Sequence, residues 1–188
     1  MFDDDEFESE PPRRSLIRRK RVMIPLGLIV AILAIFLLLR TADTDRDEMI
    51  AKYGGPDAAF ANGPAGQRIH YRDQGKQGGP VIVLLHGSNA SLHTWEPLVK
   101  RLGGTYRIVT LDLPGHGLTG GTPDKDYSAD GMIAAIDVVA AKLGLDHFVL
   151  GGNSMGGWVA WRYALKEPAR VDALLLVDAA GLPLPAAE

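Results

Sequence analysis

The chain has 188 residues, 46% of them hydrophobic, and its 20 basic and 23 acidic side chains leave a net charge of −3. That balance suits one globular domain and excludes both a disordered chain and a protein built around a basic nucleic-acid groove. There is no cysteine, which excludes disulfides and thiolate metal sites and makes any covalent nucleophile a hydroxyl or a carboxylate.

Residues 3–10 are acidic and read as a solvated tail. A basic block follows, Arg13, Arg14, Arg18, Arg19, Lys20 and Arg21, and then an uninterrupted apolar run over 22–39, VMIPLGLIVAILAIFLLL. The run has the length of a helix that crosses a bilayer core, so a transmembrane helix is expected over 22–40. A cleaved signal peptide fits less well, because Arg40 directly follows the run and no small-x-small pair ends it. A buried core helix fits worst, since no polar face interrupts the segment. Asp43, Asp45, Asp47 and Glu48 lie beyond it. The positive-inside bias therefore predicts a single-pass protein with residues 1–21 in the cytoplasm and the globular part periplasmic or extracellular.

Residues 41–65 are rich in Asp, Ala, Gly and Pro and read as a juxtamembrane linker, with a short helical stretch over 47–53. Beyond them strands and helices alternate. Strands are predicted over 68–73, 81–85, 106–111, 147–150 and 171–177. Helices are predicted over 95–102, 130–143 and from Ser154 until Pro168 stops the run. Thr94 is the expected cap of the first helix and Gly103 its end. Met132, Ile133, Ile136, Val139, Ala140 and Leu143 form an apolar stripe on the second, with Gly144 as a left-handed stop. Apolar strands between amphipathic helices predict a mostly parallel α/β sheet covered on both faces.

Gly152-Asn153-Ser154-Met155-Gly156 falls between the fourth of these strands and the third helix. A G-x-S-x-G between strand and helix marks Ser154 as a candidate nucleophile, because flanking glycines let the chain turn sharply with the serine strained and its Oγ outward. An inert serine on a structural turn is the alternative for the pentapeptide alone. Two further motifs follow predicted strands: His86-Gly87-Ser88, and Asp112-Leu113-Pro114-Gly115-His116-Gly117. All three sit at carboxyl ends of strands, where open α/β sheets place their ligands.

The set resembles the α/β-hydrolase family over residues 67–188. The resemblance implies that the His86-Gly87 turn is an oxyanion loop, with the backbone N–H groups of Ser88 and Met155 as donors to a developing negative oxygen. It gives the Asp112–Gly117 segment a structural role. Serine at the nucleophile position resembles esterases, lipases, lactonases, amidases and carbon–carbon hydrolases, rather than epoxide hydrolases and haloalkane dehalogenases, which use aspartate there. The family order is Ser, then Asp or Glu, then His. No histidine follows Ser154, so the chain reads as the first part of the fold, incomplete at its C-terminus. Asp178, at the end of the 171–177 strand, is a weaker candidate for the acid. His86 and His116 are expected to be structural, as are His70, His93 and His147; Trp95, Trp158 and Trp161 read as packing residues.

No metal-ligand cluster, phosphate loop or dinucleotide fingerprint is present in the sequence, and no cofactor is expected. The reading is a membrane-anchored serine hydrolase acting on a small-molecule carboxylic ester or related acyl substrate. Its alternative is a non-catalytic anchored remnant or binding domain without a triad histidine. Ending at the 171–177 strand is expected to leave an apolar, unpaired edge and to favour association.

Overall fold

The computed structural model describes residues 14–40, 44–64 and 66–182, in two compact units, residues 1–44 and residues 45–188. The acidic tail and Arg13 lie outside the described residues.

Among its described residues the first unit holds one helix, α1 (Arg14–Leu39). Its basic first half is helical backbone as well, in keeping with the good helix propensity of Arg, Lys and Leu. From Met23 to Leu39 every side chain is exposed. The expected span is not found. Among the described residues no helix is long and apolar enough to cross a membrane, and the described side chains of α1 begin only at Met23, one residue inside the apolar run.

The second unit opens within the stretch expected as a linker, which instead holds α2 (Arg46–Tyr53) and β1 (Ala59–Asn62). The Asp45 side chain caps α2 by accepting from the N–H groups of Asp47 and Glu48. β1 pairs antiparallel with β2 (Arg68–Gly75), which pairs antiparallel with β4 (Arg107–Leu111). From there the sheet is parallel through β3 (Val81–Leu85), β5 (Phe148–Asn153) and β6 (Val171–Val177), giving the order β1-β2-β4-β3-β5-β6. The parallel half matches the sequence pattern. In the antiparallel half, β2 was expected over 68–73 and is found two residues longer, whereas the four-residue β1 and the antiparallel pairing were not visible, because so short a strand carries little periodicity.

Alternation along β3 divides the core. Val83 and Leu85 face α4 (Ala129–Leu143) and α5 (Met155–Lys166), in one cluster with Ile133, Ile136, Phe148 and Tyr163. Ile82 and Leu84 face the other way with Trp95 and Ile108, under Leu98, Val99 and Leu102 of α3 (Glu96–Leu102). Helices thus cover both faces, as a parallel sheet requires. Gly144 ends α4 in the left-handed conformation as expected, with φ 64°. The start of α3 differs: a 3₁₀ turn over Leu92–Trp95 precedes it and Thr94 lies inside that turn, so the hydroxyl does not cap the helix. Gly103 ends α3 with right-handed φ −61°.

Among the described residues β6 pairs with β5, and Leu174, Leu175 and Val177 on it are each about two-fifths exposed. Ile136 is 1% exposed at the centre of the larger cluster. Ile136→Ala is expected to lower the unfolding free energy by ~2–5 kcal/mol, read from urea denaturation followed by circular dichroism.

Candidate active site at the carboxyl edge of the sheet

Ser154 joins β5 to α5 with φ 50° and ψ −114°, a conformation that costs a residue with a Cβ about 1–3 kcal/mol. Three hydrogen bonds hold it. Its N–H donates to the Val177 carbonyl at 3.0 Å, and its own carbonyl accepts from Trp158 and Ala180 at 3.0 Å each. The flanking glycines are a steric requirement. A Cβ at Gly152 would overlap the Gly156 carbonyl, and one at Gly156 would overlap the carbonyls of Leu85 and His86. The serine turn is therefore pressed directly onto the end of β3.

That contact brings the His86-Gly87-Ser88 loop to the serine. A Cβ built at Gly87 would stand 2.9 Å from Asn153 Oδ1 and 3.4 Å from Ser154 Cβ. Ser88 Oγ donates to Met155 Sδ at 3.5 Å, so the two residues expected to supply oxyanion donors touch through their side chains. Met155 is the first residue of α5, and the helix's own hydrogen-bond ladder begins at Trp158. Its N–H belongs to the first turn, which has no intrahelical acceptor. Asn153 donates from Nδ2 to the Val177 carbonyl at 3.1 Å, tying the turn to β6.

His86 is buried and fully engaged. Its Nδ1 meets the Gly87 carbonyl at 2.7 Å, and its Nε2 accepts from the Leu113 N–H at 3.0 Å. These partners assign the neutral Nδ1–H tautomer. Burial pushes its pKa down, partly offset by the Gly87 carbonyl and Asp112, and His116 lowers it further. The His116 ring packs on it at 5.1 Å between centroids, and His116 Nδ1 faces the Pro114 carbonyl at 3.1 Å. His93 is tied to Ser91 and the Tyr53 carbonyl, and His147 lies 3.8 Å from Asp172. Among the described residues, no histidine is bonded to Ser154. Asp178 lies at the end of β6 with a left-handed φ of 48°. Its exposed carboxylate has no hydrogen bond or ion pair among the described residues, so the structure does not join it to a base.

The Asp112 turn holds a network the sequence did not reveal. Asp112 Oδ2 meets His70 Nδ1 at 2.7 Å and accepts from the Leu118 N–H at 2.8 Å, while Oδ1 accepts from the Leu92 N–H at 2.8 Å. Both side chains are fully buried. Burial alone would raise the Asp112 carboxyl, but the bonds from His70, Leu92 and Leu118 hold it below the usual carboxylate range. Gly117, with φ 47°, leaves room for that carboxylate, which any Cβ there would strike. Spacing alone could not pair His70 with Asp112, since the pairing depends on the antiparallel register of β2 on β4.

A family model described as the alpha/beta hydrolase fold matches residues 80–188. The chain belongs to the alpha/beta hydrolase family. This α/β hydrolase chain is 38% identical over 113 residues to N-formylmaleamate deformylase of Pseudomonas putida, covering 60% of this chain and 42% of that protein. It is 41% identical over 105 residues to monoacylglycerol lipase ABHD6 of Homo sapiens, covering 55% and 31%. It is 32% identical over 115 residues to epoxide hydrolase 4 of Mus musculus, covering 61% and 32%. The chain thus spans less than half the length of these relatives. Among solved structures, one titled a membrane phospholipase A and bacterial virulence factor superposes with TM-score 0.65 at 29% identity, covering 90% of this chain and 55% of that one. An epoxide hydrolase, a deformylase and a lipase all occur among these relatives, so family likeness leaves the nucleophile open.

His86 and Asp112 are two buried groups whose shifts shape the acid response of the fold. Histidine in an unfolded chain titrates near ~6.5. Below that pH the unfolded chain takes up a proton that buried His86 refuses, so its contribution to stability is present above pH ~6.5 and is lost as pH falls toward the lowered folded value. Asp112 contributes above the unfolded carboxylate value of ~3.9 and is lost as pH falls through its lowered folded value. His86→Gln is expected to flatten the decline in urea midpoint between about pH 7 and 5, and Asp112→Asn the decline below about pH 4. A parallel shift of the whole pH curve in either variant would contradict the assignment.

Proposed function

We propose that this α/β hydrolase is a membrane-anchored serine hydrolase in which Ser154 attacks the carbonyl of a carboxylic ester or related acyl group. The observation that carries the reading is the strained Ser154 backbone, held by Val177 and Ala180 and pressed against the Gly87 loop. Strain concentrated on a serine at the carboxyl edge of a parallel sheet fits a nucleophile displayed to a ligand. The N–H groups of Ser88 and Met155 receive the negative charge that develops on the carbonyl oxygen. Such donors each contribute about 3 kcal/mol to the transition state.

Ser154 needs a general base to take its proton. Among the described residues no histidine is bonded to Ser154, and a non-catalytic anchored domain is the second reading. The two readings separate on Ser154-dependent turnover. Ser154→Ala is expected to abolish fluorophosphonate labelling of the protein in its own membranes and to reduce aryl-ester turnover at least ~10³-fold. Labelling that survives Ser154→Ala would sink the serine assignment.

The anchor rests on the apolar run 22–39, its basic N-terminal flank and its acidic C-terminal flank. The exposure of every described side chain from Met23 to Leu39 supports it, since an apolar surface of that extent is stable only in an apolar medium. The basic flank supports a topology with the hydrolase unit on the side of the membrane opposite the cytoplasm. The protein is expected to stay with membranes through an alkaline carbonate wash, and deletion of residues 22–39 to release it into the supernatant.

A further inference from the structure

The loop beside Ser154 takes its shape from one peptide group. His86 Nδ1 donates to the Gly87 carbonyl at 2.7 Å, and that carbonyl belongs to the same peptide unit as the Ser88 N–H. The unit is planar and trans, so its C=O and N–H point in opposite directions. Fixing the carbonyl on the His86 ring therefore fixes the Ser88 N–H as well, turned away from that ring. A donor held in this way is only as well aimed as the ring that holds its carbonyl.

The His86 ring is itself held from the Asp112 turn. The Leu113 N–H donates to its Nε2 at 3.0 Å, and the His116 ring packs on it with centroids 5.1 Å apart and planes tilted by 56°, within the range of favourable tilted ring pairs. His116 is fastened by backbone and side chain alike. Its N–H donates to the Leu113 carbonyl at 3.0 Å, its carbonyl accepts from the Gly120 N–H at 2.9 Å, and its Nδ1 meets the Pro114 carbonyl at 3.1 Å. Gly115 and Gly117, on either side of it, have φ of 83° and 47°, which only glycine adopts at no steric cost. Among the described residues His116 Nε2 makes no hydrogen bond. Beyond its own turn, the contact of the His116 ring is with His86.

We propose that His116 is a positioning residue for the hydrolytic step: its ring clamps the His86 ring, and through the Gly87 carbonyl that clamp aims the Ser88 N–H at the oxygen that becomes negative. This role rests on the serine-hydrolase reading above and adds to it a residue that acts without touching substrate. It asks for an aromatic ring at position 116 and makes no use of imidazole chemistry. Without the ring His86 gains side-chain freedom and the Gly87–Ser88 peptide rocks with it. The loss then falls on the transition state, where the charge on the oxygen is greatest, and spares substrate binding.

The test uses the full chain in its own membranes and a water-soluble aryl ester, with rates expressed per Ser154 titrated to completion by a fluorophosphonate. His116→Ala is expected to lower kcat about tenfold with KM unchanged, and His116→Phe to return kcat to within about twofold of the parent. Because His116 acts through His86, adding His116→Ala to His86→Gln is expected to cost no further rate. An unchanged kcat in His116→Ala, a change confined to KM, a phenylalanine variant as slow as the alanine one, or additive losses in the double variant would each overturn the role. The clamp is also read without turnover. The chain has five histidines, so isotope-labelled histidine in the detergent-solubilised protein resolves the His86 Nδ1–H, assigned by its disappearance in His86→Gln. Its exchange with solvent is expected to be roughly tenfold faster in His116→Ala than in the parent or His116→Phe, and equal exchange in all three would remove the clamp. If His116→Ala fails to fold, His116→Leu, which keeps bulk but no ring, carries both comparisons. Absence of Ser154-dependent turnover in the parent would remove the serine-hydrolase reading and the positioning role with it. Parent turnover that His116→Ala leaves intact would remove the positioning role alone.

Discussion

The fully buried Asp112 carboxylate is the constraint on which the carboxyl edge of the sheet depends. A charge removed from water is tolerated only where hydrogen bonds replace its hydration, and Asp112 takes them from three segments: His70 on β2, Leu92 before α3, and Leu118 in its own turn. Thr119 Oγ1 adds a bridge, accepting from the His70 N–H and donating to the Asp112 carbonyl. One carboxylate thereby fixes the antiparallel strand, the loop after β3 and the turn after β4 relative to one another. The His86 ring, bonded to the Leu113 N–H, extends that frame to the Gly87 loop. Asp112 and His70 make a buried acid–histidine pair, but one whose role is architectural, since the remaining ring nitrogen of His70 is buried with no hydrogen-bond partner among the described residues.

The serine turn depends on contact rather than charge. Gly152 and Gly156 allow α5 to start against the carbonyls that end β3, and a methyl group at either position would separate helix and strand. The same closeness sets Gly87 beside Ser154 and lets Ser88 reach Met155. Packing on the opposite surface of α5 is dry and aromatic, with Tyr163 against Phe148 at 5.9 Å. On its outer side Trp158 and Trp161 lie under Arg162, and Trp161 donates to the Ala180 carbonyl. The tryptophans thus steady the segment that follows β6, which is a packing role of the kind their spacing implied.

The legible parts of this fold were those with strong periodicity. β3 and β6 were found at their true limits, and α4 and α5 within a residue of theirs, because their apolar residues repeat at strand or helix spacing and Gly144 and Pro168 mark the ends. The site was legible where a backbone requirement selects residue type, as at Gly152, Ser154 and Gly156. What escaped was polar and long-range. β1 is four residues long and half-buried, so it gives no pattern, and its partner lies across a turn of glycines and a proline. Arg72 sits in a strand among His70, Tyr71 and Asp73, where nothing local distinguishes a buried arginine from a solvated one. The 3₁₀ turn before α3 was missed because Thr94 has the residue type of a cap, whereas the Leu92 N–H is claimed from a distance by Asp112.

β6 has a further consequence, for how the serine turn keeps its shape. Its Val177 carbonyl accepts from both the Ser154 N–H and the Asn153 amide. When β6 detaches, Ser154 loses a bond that holds it at positive φ and can relax, releasing about 1–3 kcal/mol of backbone strain that favours the opened form. β6 and the strained serine turn therefore form one cooperative unit, and the geometry at Ser154 persists only as long as β6 stays paired with β5.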